Sequence, residues 1–408
     1  MAGGPQALAE PVKIGIDAFF LNHPFNGIGQ VTTNLIEALV RNSASPSVAE
    51  GLDWSQCEFY LYMAEDCGRA FPSHFRQRTL PLKWNKGTLS KKWWEARQLP
   101  VAVQRDGCDL LISLYQSAAV MPENFPHIML VHDIIYVLFK EHTDNWRKQL
   151  NVWSILRGIR RASHCIAVSN HTKSDMMKYL AMEDDKISVA HNAVDPQFAV
   201  PLTRSQVEKV LQKHRLSPGY LYHGGGMHGR KNARGVLEAY RILLRHARHA
   251  DLSVSLPPLV ISGALASGVS GGSPLEDLAR ELGIADHVVL LGHVPQADLP
   301  ALYKGASVFL YPSRYEGFGL PILEAMHQGV PVVAANTSSL PEVGGDAVLY
   351  CDPDRPSEIA AAVLQILTNT TLSETLARRG LERSGRFTWR TLLEKLAKVS
   401  AELLQQRG

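Results

Sequence analysis

Cysteine is scarce: Cys57, Cys67, Cys108, Cys165 and Cys351 are the five in 408 residues. No two form a CxxC pair and the number is odd. A disulfide-stapled scaffold is thereby excluded, and no thiolate set with zinc spacing is offered. Long hydrophobic runs are also missing. The longest apolar stretch, near Ile128–Phe139, is interrupted by His132 and Asp133 and falls short of the roughly 18 residues a membrane span needs. Residues 1–11 lack the basic flank and apolar core of a signal peptide. Charge of one sign is missing as well. Lys+Arg is 42 against Asp+Glu 39, a net charge of +3, and neither half of the chain is strongly basic, so bulk charge indicates no nucleic acid as partner. The expectation is a soluble, cytoplasmic chain with unpaired thiols.

What is present is ordinary for a folded protein, with 45% hydrophobic and 20% charged residues, and the length suggests about two to three domains. Short apolar runs alternate with helical patterns. Strands are predicted at Val12–Phe20, Cys57–Met63, Asp109–Leu114, His127–Val131 and His164–Val168. After Asp195 the pattern restarts with Tyr220–Tyr222, Leu259–Ser262, Val288–Leu291, Val308–Leu310, Pro331–Ala335 and Ala347–Tyr350. Most of these runs lack period-two alternation, which implies parallel sheets covered on both faces. The restart predicts two doubly wound α/β domains, residues 1–200 and 201–390. The seam lies near Pro196–Ser217, Ala264–Pro274 is an exposed loop, and 391–408 is a C-terminal helix that docks on either domain.

In open α/β sheets, ligands bind beyond the carboxyl ends of the strands, so the loops that follow strands carry the chemistry. After the first strand, Asn26-Gly27-Ile28-Gly29-Gln30 opens a helix, where glycines admit a ligand to the backbone and amides favour an anion. After Tyr220–Tyr222 comes His223-Gly224-Gly225-Gly226-Met227-His228-Gly229-Arg230-Lys231-Asn232. Gly224, Gly226 and Gly229 formally satisfy GxGxxG. Arg230 and Lys231, at the start of the next helix, instead suit a diphosphate. After Val308–Leu310, Ser313 to Met326 places Glu316 on a loop with Gly317, Phe318 and Gly319. Leu320 and Pro321 then open a helix that carries Glu324. Carboxylates there can accept paired sugar hydroxyls. His132-Asp133 ends the strand His127–Val131.

These segments together resemble the retaining glycosyltransferases of family 4, which have the GT-B fold. The resemblance rests above all on Glu316-Gly-Phe-Gly-Leu-Pro-Ile-Leu-Glu324, two glutamates with seven residues between. It continues through Gly329-Val-Pro-Val-Val to Ser339-Leu-Pro-Glu342-Val-Gly, with Gly27-Ile-Gly29, His132-Asp133, His191-Asn192-Ala193-Val194-Asp195 and Arg230-Lys231-Asn232 in matching order. The resemblance implies two Rossmann-like domains facing a central cleft, with a nucleotide-diphospho-sugar donor held mainly by the second. Arg230 and Lys231 would neutralise the diphosphate, and Gly27 and Gly29 would approach it from the first domain. Glu316 would hold sugar hydroxyls, with the amides of Gly317, Phe318, Gly319 and Leu320 in support. Glu324 would bind the ribose diol, Val294 would lie near the base, and His132 would stand beside the sugar. Transfer of a hexose such as mannose, with GDP-mannose as the favoured donor, would retain the anomeric configuration and need no metal or resident cofactor. Polysaccharide or lipopolysaccharide biosynthesis is the implied setting.

Two positions depart from the family pattern: Gly225 stands where many relatives carry an arginine, and Ala193 where many carry glycine. The string Asp352-Pro353-Asp354 reads as a structural turn rather than a metal site. The acceptor is expected to be a glycan or a lipid-linked saccharide. Lys83, Lys86, Lys91, Lys92, Trp93, Trp94 and Arg97 form a stretch that suits an anionic membrane face, as a peripheral contact on the inner side, a grip on a lipid-linked diphosphate acceptor, or a solvated helix with Trp93 or Trp94 in the core. An epimerase of the same architecture, a nicotinamide dehydrogenase and a non-catalytic sugar-nucleotide sensor remain alternatives.

Overall fold

The computed structural model describes residues 10–23, 27–46, 50–84, 87–139, 143–226, 229–249, 256–263 and 273–407. Asn26, Lys86, Met227, His228 and residues 264–272 of the expected loop lie outside them, while Ser273 caps and Pro274 opens the helix Pro274–Glu281. The chain forms two units, one of Met1–His191 with Trp389–Gly408 and the other of Asn192–Thr388.

The N-terminal unit is built on seven strands: β1 (Val12–Asp17), β2 (Cys57–Met63), β3 (Phe75–Thr79), β4 (Leu110–Ser113), β5 (His127–Val131), β6 (His164–Ala167) and β7 (Ile187–Val189). They are all parallel, in the order β3-β2-β1-β4-β5-β6-β7. The second unit has six: β8 (Tyr220–Gly224), β9 (Leu259–Ser262), β10 (Val288–Gly292), β11 (Ala306–Tyr311), β12 (Val332–Ala335) and β13 (Leu349–Cys351). These too are parallel, ordered β10-β9-β8-β11-β12-β13.

Two departures from the strand pattern have one cause. β3 and β7, the strands without a sequence signal, lie at the two edges of the first sheet. An edge strand faces water along one side, so Phe-Arg-Gln-Arg-Thr can serve as β3 without the apolar run that marks a central strand. The expected strand Val12–Phe20 stops at Asp17, and Phe19–Asn22 turns as a 3-10 helix.

Order reverses between β1 and β4 in the first sheet and between β8 and β11 in the second. At such a switch point neighbouring loops leave in opposite directions and open a crevice. The loops after β1 and β4, and those after β8 and β11, are therefore the positions the topology selects. In the second unit the core beneath them includes Leu221, Val236, Leu237, Val308 and Val333. The C-terminal helix Trp389–Gln405 packs against the helix Gly27–Asn42, and its Ala397 carbonyl accepts from Leu52 N (3.1 Å). The five cysteines are unpaired, and all but Cys67 are buried.

Candidate functional site

In the second unit, β8 leads through its glycine loop into a short turn, Gly229–Lys231, directly before the helix Ala233–His249. Asn232 caps that helix, its side chain accepting from Gly235 N (3.3 Å) and donating to the Pro353 carbonyl (2.6 Å). The turn is fixed to the loop after β11 by Arg314 N, which donates to the Arg230 carbonyl at 2.7 Å. Two segments far apart in sequence thus share one backbone platform, and their charged side chains converge.

Glu316 is the point of convergence. Its carboxylate is 2.6 Å from Arg230 Nη1 and 3.9 Å from Lys231 Nζ. Tyr311 donates to it at 2.8 Å and Ser313 at 2.9 Å, while Lys231 donates to the Tyr311 hydroxyl at 2.7 Å. The bonds from Arg230, Tyr311 and Ser313 all reach one oxygen, Oε1. Burial by itself would raise the Glu316 carboxyl, but the charges of Lys231 and Arg230 outweigh it and hold the group below its ordinary range. Lys231 is lowered, chiefly by burial. Glu316 and its two cationic partners thus form a compact cluster in a mostly dry setting, in which the carboxylate and the cations each favour the other's charge. The loop carrying Glu316 is clamped from the turn after β12. Glu316 N donates to Ser338 Oγ (3.0 Å), and Ser339 Oγ donates to the carbonyls of Glu316 (2.9 Å) and Phe318 (2.7 Å).

Glu324 lies in the helix Leu320–His327 and is 6% exposed. Its Oε2 accepts from Tyr303 at 2.8 Å. Burial raises its pKa to about 7, despite the Tyr303 bond and Lys231, with Asp195 adding to the rise. The folded value lies above the usual 4.5, so its ionisation disfavours the fold, progressively as pH climbs from there to about 7. A ligand that donates hydroxyls to Glu324 is held better by the ionised form, whose two oxygens both only accept. Donor affinity is therefore expected to rise with pH through about 7 and then level off, with proton release on binding below that point. Calorimetric titration in buffers of different ionisation enthalpy measures both. A flat profile would remove Glu324 from the binding site, and Glu324→Gln should abolish the dependence.

Gly319, the residue before that helix, has φ 112°, and a Cβ there would lie 2.8 Å from Leu340 Cδ2. Gly319→Ala should therefore destabilise by about 1–3 kcal/mol. Chemical denaturation reads this directly, and an unchanged midpoint would contradict the assigned strain. Phe318 points its ring into the core, edge-to-face with Phe387, so the ring is not presented to a ligand. Val294 is buried in the loop after β10.

The departures from the family pattern have local explanations. A Cβ on Gly225 would meet His223 Nε2 at 2.5 Å and Lys231 Cβ at 3.0 Å, so no arginine fits here without displacing His223. Ala193 is buried and is not among the positive-φ residues, so the position does not require glycine. In Asp352-Pro353-Asp354, Asp352 pairs with Arg355 (3.3 Å) and Asp354 with Arg314 (2.8 Å), while the Pro353 carbonyl serves Asn232.

In the N-terminal unit, His132 follows β5 and is 9% exposed. Its Nε2 is 2.9 Å from the Leu114 carbonyl. A carbonyl only accepts, so Nε2 carries the proton and Nδ1 presents a lone pair. Burial lowers its pKa, against the opposing effect of the Leu114 bond, which favours this neutral form. Its backbone N donates to Gln116 Oε1 (3.3 Å). Gln116 also lines a 440 Å³ cavity at the β1/β4 switch point, together with Phe19, Phe20, Lys91, Tyr115 and Tyr136. Gly27 begins the helix, and a Cβ on Gly29 would run into the His23 carbonyl at 1.8 Å, so Gly29 also has a packing reason to be glycine.

The Lys83–Arg97 stretch differs from a solvated basic face. Lys91 and Lys92 turn inward to the fully buried Glu95, at 3.1 and 3.0 Å, and Lys91 lies 4.3 Å from the centre of the Phe20 ring. Burial would raise Glu95, but Lys91 and Lys92 bring it down to about 2. Trp94 is wholly buried. Sequence reasoning gave no roles to Tyr303, Tyr311, Ser313 or Thr337–Ser339. Tyr311 ends β11 directly before the glutamate loop, a signal that could have been used; Tyr303 carries none.

Residues 212–383 match the family model described as Glycosyl transferases group 1, and residues 25–198 match Glycosyltransferase Family 4. The O-antigen chain mannosyltransferase B of Escherichia coli is 36% identical over 259 residues, 63% of this chain and 65% of that protein. The serotype-specific mannosyltransferase WbdA of Escherichia coli is 25% identical over 332 residues, 78% of this chain and 39% of its own length. The chain thus spans less than two thirds of either relative. Among solved structures, Anabaena HepE in complex with UDP-glucose superposes with a TM-score of 0.65 at 16% identity, covering 97% of this chain and 98% of that one. The shared architecture is the GT-B fold.

Proposed function

We propose, from the premise that this chain belongs to the glycosyltransferases of group 1 and family 4, that it transfers a hexose from a nucleotide-diphospho-sugar to a glycan or lipid-linked acceptor. Mannose is the favoured sugar, because relatives that match it are mannosyltransferases, and GDP-mannose the favoured donor. The observation that carries the reading is the convergence of Arg230 and Lys231 on Glu316 at the β8/β11 switch point.

Two cations beside one buried carboxylate leave the site with a net positive charge that a diphosphate can answer. A diphosphate takes over Arg230 and Lys231 and stabilises them as Glu316 did. Glu316 then turns its acceptor capacity to sugar hydroxyls through Oε2, the oxygen not used by Arg230, Tyr311 and Ser313. Glu324 accepts the ribose diol with the oxygen that Tyr303 leaves open. The neutral His132, with its Nδ1 lone pair, accepts from a sugar hydroxyl. The aromatic cavity beside Gln116 receives the acceptor.

As the bond to the anomeric carbon breaks, negative charge grows on the departing diphosphate, and the two cations stabilise it most at that moment. The acceptor attacks from the same face, its proton passing to the departing phosphate, and configuration is retained. Positive charge at the phosphates comes from side chains, so the reading needs no metal. HepE is crystallised with UDP-glucose, which supports a nucleotide-sugar donor for the shared fold.

The test is incubation with a panel of nucleotide sugars, with and without saccharide acceptors, following nucleoside diphosphate release and product linkage. Acceptor-dependent release from one donor is expected. Interconversion of sugars without release would replace this reading with an epimerase.

A further inference from the structure

The helix Trp146–Arg161 turns Val152, Ile155 and Ile159 into the core. On its other side Trp146, Leu150 and Trp153 are 65%, 47% and 59% exposed. Steps of four and three residues put these three on one stripe. Leu150, on the edge of this stripe, also lines a groove of 870 Å³ whose other wall carries Trp84 and Leu89, 53% and 60% exposed, with Trp93, Arg97 and Arg147 beside them. Contiguous exposed apolar surface of this kind marks an interaction site.

Its charge says which kind. The helix carries Arg147, Lys148, Arg157, Arg160 and Arg161 and no acidic residue. Each outward indole has a cation over it: Arg147 on Trp146 (5.3 Å), Arg157 on Trp153 (6.0 Å), and Lys83 on Trp93 (4.8 Å) and Trp84 (5.6 Å). Tryptophan and leucine flanked by arginine and lysine suit the boundary where acyl chains meet anionic headgroups. A second copy of the same surface would bring like charges face to face. A nucleic acid could stack on the indoles but would leave Leu89 and Leu150 in water.

We propose that this groove and stripe dock the N-terminal unit on an anionic lipid bilayer, the indoles and leucines entering the interface and the cations meeting lipid phosphates. The groove shares Gly87, Thr88, Lys92 and Asn151 with the aromatic cavity beside Gln116. A docked bilayer would therefore border the cavity assigned to the acceptor.

The test is sedimentation of the full chain with vesicles of phosphatidylcholine alone and of an equal mixture with phosphatidylglycerol. Binding to the mixed vesicles, weakened by high salt and accompanied by a blue shift of tryptophan emission, is expected. The surface variant Trp146→Ser/Leu150→Ser/Trp153→Ser should lower the bound fraction about tenfold or more, as should Arg147→Glu/Arg157→Glu. Neither should alter transfer to a short water-soluble saccharide. Wild-type protein that stays in the supernatant, or variants that bind as wild type does, would overturn the proposal. So would a concentration-dependent dimer lost in the triple variant without vesicle binding, or tight binding to single-stranded RNA in place of vesicles. Vesicle binding is read without turnover, so its failure is distinguishable from failure of the glycosyl-transfer reading.

Discussion

Replacing Lys231 by methionine is expected to lower the rate of nucleoside diphosphate release by about a hundredfold to a thousandfold, the range for loss of one fixed donor in a water-excluded site. The side chain is 17% exposed, and its Nζ lies 2.7 Å from the Tyr311 hydroxyl. On the proposed reading its charge would act more on the leaving diphosphate than on the resting donor, so kcat should fall more than donor affinity. Stability should change little, because Glu316 keeps Arg230 as its closer partner at 2.6 Å and burial already disfavours the Lys231 charge. Single-turnover release with an excess of enzyme separates chemistry from binding. A variant with wild-type turnover would discredit the diphosphate assignment. Arginine should not restore full activity, since its planar fork cannot occupy the ammonium position.

Glu316→Gln should impair both turnover and stability. Removing the negative charge leaves Arg230 and Lys231 as like charges with no counterion between them. Breaking a buried pair costs about 3–5 kcal/mol, but Arg230 is 26% exposed, so partial hydration should reduce this to about 1–3 kcal/mol. Tyr311 and Ser313 can still donate to the amide oxygen, which argues for a folded variant. Turnover should drop at least about tenfold, or about 1.4 kcal/mol of barrier, because with the amide oxygen held by Tyr311 and Ser313 the Oε2 position becomes an amide nitrogen, which cannot accept from a sugar hydroxyl. A nucleoside diphosphate brings its own negative charge, so it should raise the melting temperature of Glu316→Gln more than that of wild type. Near-wild-type turnover would remove Glu316 from the site. Equal stabilisation of both proteins by ligand would show that Glu316 does not compensate the two cations.

The central strands of both sheets were legible as apolar runs, because a strand buried on two faces has no room for polar side chains. Cys57–Met63, His127–Val131 and Leu259–Ser262 begin and end at the residues that the runs mark. The edges β3 and β7 were not legible, since one open side relaxes that demand. The end of β1 was missed for another reason: Phe19 is as apolar as Ile16, and only the turn into Phe19–Asn22 separates them. In the candidate site, glycine and proline spacing marked the loops correctly. It gave no account of Tyr303 or Ser338, whose contributions depend on neighbours distant in sequence.

The sequence by itself determined the parallel α/β class, the restart after Asp195, and the loops at which acids, glycines and cations gather. Each of these is a local property, written in burial, turn chemistry and spacing along the chain. Only the tertiary structure decided the partners: that Arg230 closes on Glu316, that Tyr303 rather than solvent meets Glu324, and that Lys91 and Lys92 face Glu95 while Trp146 and Trp153 face out. Strand order decides which loops adjoin, and burial decides which charges must be paired. Neither is recorded in the separation of residues along the chain.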